Sequence, residues 1–502
     1  PQPDKPDTTA EALDALNRTL APEERARIVE EEAVLREMQE APDSPEAQAT
    51  LPRLSLSDID DAPAEPSYGL VPGAPLACVR HTVSTRGIVY AYRYFGLEGV
   101  SFDELPYITV LAIVLGKLDT AHHTAAEIDT FTQGKLGNLT FFADVWEHRE
   151  DTTRVIPRFV VSSSALAENV EWLSTLPREI MLETDFSDTG KILDVLKQRK
   201  IGMERSFANN GHSCASARLK SYYSSAGVMR EQLGNVGFYL FLCELIEHFD
   251  ERAVQLGDRL RDLAARVFCD DRCTVSFAGG DADYERFWDA HPECGRTGDG
   301  ADLLVIPAPQ VRNEAFCVPS DVCYAALGWD RRLLGQPYSG TWGVVSRALS
   351  YDYLWNEVRV KGGAYGVGFQ MLRSGNMRFY SYRDPHLDET LERFAQASEW
   401  LAQFSPSQED LEGFVVATVA GIDSPVKAHD LVRRQMADFI AGHTPEERVL
   451  MRKQVIATSA ADVRALAGVV AQAVDQQALC VFGNREILEG AQASLNVVAL
   501  VG

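Results

Sequence analysis

Two side chains in one short glycine-rich stretch, RVKGGAYGVGFQ, could do chemistry together. Arg359 precedes Tyr365 by six residues, and Gly362 and Gly363 lie between them. An arginine keeps its proton at neutral pH, and a tyrosine hydroxyl is a neutral hydrogen-bond donor. Together they suit an electron-rich oxygen, either a peptide carbonyl or the oxyanion that forms when water attacks it.

Two other interpretations of this stretch compete with a catalytic one. Its glycines match neither GxxxxGK[ST] nor a GxGxxG between a strand and a helix. The following FQMLRSGNMRFYSY alternates like a hairpin with its turn at 374–376, which disfavours a phosphate-binding loop. Glycine also permits positive φ angles and close backbone approach, so the stretch could simply connect a helix to a strand. The residues alone leave this structural alternative open.

The sequence repeats one pattern. GIVYAYRYFGLEGVSFDELPYITVLAIVLGKL, from Gly87, is a β-rich run, a short loop and an apolar helix, and DVCYAALGWDRRLLGQPYSGTWGVVSRALSYDYL, from Asp321, follows the same order. A glycine-containing segment and a pair of strands follow in both, which predicts a duplicated α/β domain. The first copy has FTQGKLGNL where the second carries Arg359 and Tyr365. The pair is therefore specific to the second copy, which favours a functional role.

The chain divides into three predicted parts. Residues 1–66 are rich in Glu, Asp, Ala and Pro, and leucines at helical spacing such as Leu13 and Leu16 predict a helical hairpin. Its narrow apolar stripe cannot bury enough by itself, so we expect it to lean on something else. Two tandem α/β (α+β) domains are expected at 67–295 and 300–502, each a largely antiparallel sheet packed with helices.

Composition excludes several classes of function. The formal charge of −25 disfavours a nucleic-acid partner; it favours cationic ligands, or only keeps a large protein soluble. No run of about 18 apolar residues indicates a membrane span. Nine scattered cysteines suggest a reducing compartment. Because the chain begins with Pro1 and no methionine, we expect a processed product or a piece of a longer polypeptide.

Metal motifs are weak in this sequence, which contains neither H-x-x-E-H nor H-E-x-x-H. His122 and His123 precede Glu127 in HHTAAE, but the spacing is wrong and we expect a solvated or capping cluster. Cys269 and Cys273 have no second pair to complete a zinc site. The sequence therefore predicts no metal ligand in this chain.

Two other motifs predict structure more than chemistry. In SYRDPHLDETL, Asp384 can cap a helix whose first residue is Pro385, so Arg383, Asp384 and His386 are not predicted to be catalytic. GHSCASARLK, from Gly211, has the small residues typical of packing between helices.

RVKGGAYG, SYRDPHLDETL and RLSLSDID together resemble the pitrilysin/insulinase family of zinc peptidases, above all its presequence-protease branch. The resemblance implies four related α/β domains in two bowl-like halves, which a helical hairpin joins around a chamber for unstructured peptides. Zinc would lie in the first half, in an H-x-x-E-H motif with a distant glutamate. This chain resembles the linker hairpin with the third and fourth domains.

The resemblance also implies roles for individual residues. Arg359 and Tyr365 would be catalytic, and Gly362 and Gly363 would contact the substrate backbone. Zinc and a zinc-bearing N-terminal half, in the same polypeptide or a separate subunit, would complete a metalloendopeptidase, while this chain alone would be inactive. The alternative is a non-catalytic partner or scaffold subunit that binds peptides or completes a chamber. We expect a bacterial cytoplasmic protein, with the mitochondrial matrix as the alternative.

Overall fold

The computed structural model describes residues 8–41, 44–52, 54–60, 65–298 and 304–501. The chain divides into two compact units, Pro1–Leu54 and Ser55–Gly502. The predicted domain boundaries at 66, 295 and 300 stay predictions, and residues 299–303 of the expected seam lie outside the described residues.

The first unit contains the predicted hairpin. Its helices are α1 (Thr8–Thr19), α2 (Pro22–Glu40) and the short α3 (Pro45–Gln48). Pro22 occupies the first turn of α2, as predicted. Leu13 and Leu16 are more than half exposed, so the apolar stripe is not buried. The expectation that it leans on another surface stays a prediction.

Within its described residues, the second unit contains two six-stranded sheets. The first sheet has the strand order β1-β2-β6-β3-β5-β4, and the second has β12-β7-β11-β8-β10-β9. Five strands of each sheet repeat one topology, in which a parallel pair (β2 with β6, β7 with β11) adjoins an antiparallel meander. The predicted duplication is therefore confirmed as a repeated sheet. The strands are β1 Tyr68–Leu70, β2 Ala77–His81, β3 Ile88–Gly96, β4 Asn138–Glu147, β5 Val155–Leu166, β6 Cys273–Ala278, β7 Asn313–Cys317, β8 Tyr324–Asp330, β9 Gly366–Met371, β10 Asn376–Tyr382, β11 Leu479–Gly483 and β12 Asn496–Ala499.

Helices surround both sheets. Those of the first copy are α4 Leu105–Val114, α5 Ala125–Lys135, α6 Trp172–Glu183, α7 Thr189–Asn209, α8 Gly211–Lys220, α9 Ser225–Gly234, α10 Val236–Glu247, α11 Phe249–Val267 and α12 Asp281–Asp289. Those of the second are α13 Thr341–Ala348, α14 Leu387–Ala402, α15 Gln408–Asp423, α16 Ala428–Ala441, α17 Pro445–Ile456, α18 Ala460–Ala465, α19 Ala467–Asp475 and α20 Arg485–Gly490. No single described helix is long and apolar enough to cross a membrane; 445–456 with 460–475, bent by 108°, pass that test only as a pair, by length and composition.

The two copies exchange helices across their sheets. Helix α8 of the first copy packs on strands β8 and β11 of the second sheet. A Cβ atom on Gly211 would lie 2.4 Å from the Tyr324 ring, so the helix can approach this closely only with glycine there. GHSCASARLK thus packs chiefly against a sheet and not between helices, which corrects the prediction. Conversely, Val432 and Met436 of α16 pack with Tyr92 and Tyr94 on the first sheet.

Buried charges join the two copies at the C-terminal end of α8. Glu147, at the end of β4, pairs with Lys220 of α8 and with Arg332 after β8, each at 2.8 Å. Ser224 also donates to Glu147, at 2.7 Å. Burial raises the pKa of Glu147, but the charges of Lys220 and Arg332 outweigh it and lower the pKa to about 2. One carboxylate therefore links β4, α8 and the second sheet.

We expect Glu147→Gln to lower the free energy of unfolding by about 3–5 kcal/mol at pH 7, because it leaves two buried cations without their shared partner. In the wild type, the folded pKa lies below the ordinary carboxyl value of 4.5. The stabilisation is therefore complete above pH 4.5 and is lost as the pH falls toward 2. Urea unfolding measured over this range tests both effects.

Glu150→Gln is the matched control, because the Glu150 side chain is 69% exposed in its pair with Arg149. Surface pairs contribute at most about 1 kcal/mol. Equal losses in the two variants would contradict the linking role of Glu147.

Candidate functional site

The segment that carries Arg359 is an extension of helix α13 with π-helical hydrogen bonding, Leu349–Val360. Leu354 and Val358 are fully buried against the second sheet's core, which fixes the rotation of the segment. π-Helical turns are rare and often lie at functional sites. Arg359 therefore stands at the end of an anchored helix and not on a free loop.

Two glycines end this helix. Gly363 has a left-handed backbone with φ +79°, and its N–H donates to the Arg359 carbonyl at 3.0 Å. A Cβ atom on Gly362 would lie 2.6 Å from the Val358 carbonyl oxygen. Both positions thus require glycine for the turn itself. Their predicted contact with a substrate backbone stays a prediction.

Arg359 is held by aromatic rings. Its guanidinium carbon lies 3.8 Å from the Trp355 ring centre and 5.8 Å from that of Tyr365. Such stacking fixes a guanidinium without using its N–H groups. Arg359 forms no hydrogen bond or ion pair with another described residue, so its donors are available to a ligand.

Tyr365 lies beside Arg359 at the entry to β9. Its side chain is 67% exposed, and its backbone N–H donates to the Arg383 carbonyl at 3.2 Å. Its ring meets the Tyr382 ring edge-to-face at 5.8 Å. The hydroxyl bonds to no other described residue. The structure thus brings both predicted side chains together with unused donors.

SYRDPHLDETL lies directly against this loop, a neighbourhood that sequence reasoning missed. Arg383 has φ +49°, a conformation that is uncommon outside glycine, and its guanidinium carbon is 5.7 Å from the Tyr382 ring. Asp384 is buried and accepts the His386 N–H at 3.0 Å. Helix α14 begins at Leu387 and not at Pro385, which corrects the predicted start. Arg383 is therefore a third cation at the site.

A cavity of about 710 Å³ opens beside Tyr365. Aromatic side chains line it, among them Tyr351, Trp355 and Tyr382. Helix α8 contributes His212, whose ring lies 4.7 Å from that of Tyr382. Burial and the charge of Arg378 lower the pKa of His212, so it is neutral at pH 7. The small-residue motif GHSCAS was the sequence signal for this residue.

Strand β9 forms one wall of the cavity and is an edge strand. Ser350 accepts the N–H of Phe369 at 2.9 Å and donates to its carbonyl at 3.2 Å. Ser346 accepts the N–H of Met371 at 3.2 Å. These bonds occupy main-chain groups that an added strand would need. A peptide can therefore reach Tyr365 but cannot pair along the length of β9.

No cluster of three or more metal-binding side chains occurs in the described part of the chain. His122 and His123 pair with Glu183 at 2.8 Å and Glu179 at 2.9 Å. Glu127 accepts the Thr124 N–H at 2.9 Å as a helix cap. The described residues therefore do not fit a zinc site, and any zinc chemistry needs ligands from elsewhere.

Sequence comparison decides the family. The profile of the associated domain of subfamily C of the M16 peptidases matches residues 3–245, and the one described as "PreP C-terminal domain" matches residues 313–482. Presequence protease 1 of Arabidopsis thaliana is 27% identical over 497 residues, which cover 94% of this chain and 44% of the relative. The chain belongs to the pitrilysin/insulinase family.

Other relatives of this pitrilysin-family chain agree on its extent. Protein HypA of Clostridium perfringens is 25% identical over 90% of this chain and 47% of the relative. The presequence protease of Yarrowia lipolytica is 26% identical over 89% and 45%. The chain thus spans about half the length of these relatives and corresponds to their C-terminal half.

Solved structures confirm the fold. The "peptidase M16 inactive domain" of Pseudomonas fluorescens has a TM-score of 0.57 at 14% identity and covers 86% of this chain and 100% of its own. Pitrilysin has a TM-score of 0.56 at 13% identity and covers 88% of this chain and 46% of its own. At these identities the likeness concerns the fold alone.

Gly363→Ala should destabilise the protein by about 1–2 kcal/mol, because an L-residue is strained in the left-handed conformation. The nearest atom to the new Cβ, Pro385 Cγ, is 3.6 Å away, so crowding adds little. Urea unfolding measures the loss. Gly413→Ala in helix α15 is the control: its Cβ meets open space, so it should be neutral or stabilising by up to about 1 kcal/mol. Equal effects would contradict the constrained turn.

Proposed function

We propose that this pitrilysin-family chain is the C-terminal half of a zinc-dependent oligopeptidase that encloses and degrades unstructured peptides. Arg359 and Tyr365 are its contribution to a zinc site that lies on another half. One observation carries the proposal: two hydrogen-bond donors without a described partner stand together beside an open cavity. A purely structural loop has no need to hold both in that state.

The chemistry of the pair fits amide hydrolysis. The guanidinium is a permanent cation with several N–H donors, and the hydroxyl adds one neutral donor. Both favour a carbonyl oxygen more strongly as negative charge develops on it. The aromatic contacts with Trp355 and Tyr382 hold the two groups in place before a substrate arrives. Less reorganisation is then needed during the reaction.

The zinc-bearing half is part of the proposal. Bound zinc would polarise the carbonyl and activate water there, while this chain's residues bind and orient the peptide. The relatives named presequence proteases are about twice as long as this chain, which supports a two-half enzyme. The half occurs in the same polypeptide or as a separate subunit.

An extended peptide suits this site better than a folded protein. The cavity lies where β9 begins, and only the start of that edge strand lacks the serine bonds that close Phe369 and Met371. A short segment can therefore align beside Tyr365 and present one peptide bond. Pairing limited to a few residues also places little demand on substrate sequence.

The compartment stays a prediction. Relatives are named for the chloroplast and mitochondrion, and one solved neighbour is named a periplasmic protease. We expect the bacterial cytoplasm, with the mitochondrial matrix as the alternative.

In the two-half enzyme, Tyr365→Phe and Arg359→Ala should each lower kcat for peptide cleavage by about 10²- to 10³-fold, because each removes a donor to the developing oxyanion. Tyr365→Phe keeps the ring that contacts Tyr382, so it isolates the hydroxyl. Steady-state cleavage of an unstructured peptide, with thermal unfolding as the folding check, gives the measurement.

Arg261→Ala is the matched control, because Arg261 is exposed on α11 and pairs only with Asp258 among the described residues. It should retain full turnover. Wild-type turnover in both site variants would remove the catalytic assignment and favour the scaffold alternative.

The chain alone should neither cleave peptides nor bind zinc stoichiometrically, since its described residues hold no metal-binding cluster. Metal analysis after dialysis against zinc, followed by mass spectrometry of an incubated peptide, tests this expectation. One bound zinc per chain together with cleavage would contradict the half-enzyme proposal.

A further inference from the structure

A second cavity, of about 720 Å³, opens on the first sheet. It lies where β4 begins, at Gly137 and Asn138, and helix α16 lines its opposite side with His429 and Arg433. Strand β4 is the edge strand of its sheet.

This position is the topological counterpart of the candidate site. There the cavity lies where β9 begins, at Tyr365 and Gly366, and helix α8 lines it with His212. In both cavities the edge strand of one copy meets the start of a helix from the other copy. We refer to the two as the first-sheet cavity and the second-sheet cavity.

The first-sheet cavity is free of carboxylates. Asp and Glu account for 73 of the 502 residues, yet none lines it. Two cations do: Lys135, at the end of α5, and Arg433. Neither forms a hydrogen bond or ion pair with another described residue; Arg433 only stacks over Phe142, at 5.7 Å. Such uncompensated cations are unexpected in a chain of charge −25.

The floor of the cavity adds neutral donors. Tyr90 and Tyr92 are 8% and 3% exposed, and their hydroxyls bond to no other described residue. Burial raises the pKa of both phenols, so they stay protonated at neutral pH. The buried side chains of Ser162 and Ser164 also line the cavity.

Charges around α16 do not cancel this arrangement. Asp430 is the carboxylate that faces His429, with 3.3 Å between Oδ1 and Nε2. It does not line the cavity, and it forms no ion pair with Arg433 or Lys135. The cavity therefore offers two free cations and several hydroxyl donors to an anion.

We propose that the first-sheet cavity binds a carboxylate of an extended peptide, either its C-terminal carboxylate or an Asp or Glu side chain. Arg433 and Lys135 face the charge, while Tyr90 and Tyr92 donate hydrogen bonds from the floor. The choice of a peptide as ligand rests on the proposed function. The site would hold one end of a peptide away from the bond that is cleaved.

Calorimetric titration of the isolated chain tests this inference. The probes are one short unstructured peptide as free acid, the same peptide as C-terminal amide, and an amidated version with one internal Asp. We expect the free acid, the Asp peptide or both to bind about tenfold more tightly than the plain amide, which corresponds to about 1.4 kcal/mol. Which of the two does so identifies the source of the carboxylate.

Arg433→Gln should abolish this tenfold preference, and Arg433→Lys should retain most of it. Arg347→Gln is the matched control, because Arg347 lines the second-sheet cavity and should leave the preference unchanged. Thermal unfolding confirms that each variant is folded.

Equal binding of all three peptides, or loss of the preference in Arg347→Gln instead of Arg433→Gln, would overturn the inference. Neither outcome bears on turnover of Tyr365→Phe in the two-half enzyme. The two proposals can therefore fail separately.

Discussion

Contact between helix α8 and the second sheet is the constraint on which the rest of the structure depends. It needs glycine at position 211, where any side chain would enter the Tyr324 ring. The same helix ends in Lys220, whose bond to Glu147 returns the chain to the first sheet. Its other end brings His212 to the candidate site. One helix therefore sets both the joint between the copies and one wall of the second-sheet cavity.

Rigid support explains how exposed groups can act at a defined place. Tyr365 is 67% exposed, yet a glycine turn, a main-chain bond to Arg383 and an aromatic neighbour restrict it. Arg359 follows a helical segment whose buried face is anchored at Leu354 and Val358. Donors that are fixed before a substrate binds lose little entropy on binding. Exposure here coexists with order.

Local patterns predicted the repeat, the hairpin in the first unit and the glycine turn, because each depends on residues close in the chain. They could not predict that Arg383 would lie beside Tyr365, since that contact arises from the pairing of β9 with β10. For the same reason the role of Gly211 was assigned to the wrong partner. The serines that close the edge of β9 lie on a helix and carry no strand signal. Long-range pairing was thus the missing information.

The placement of charge separates two tasks that one sign of charge could not perform. A net charge of −25 creates a field that attracts basic peptides over distances of about a Debye length. Carboxylates inside the cavities would bind such peptides too strongly in arbitrary positions and would repel the electron-rich atoms that must be oriented. Both cavities lack them and present arginine instead. Acidic surface and acid-free cavities are therefore complementary: the first collects the peptide, and the second positions its oxygens.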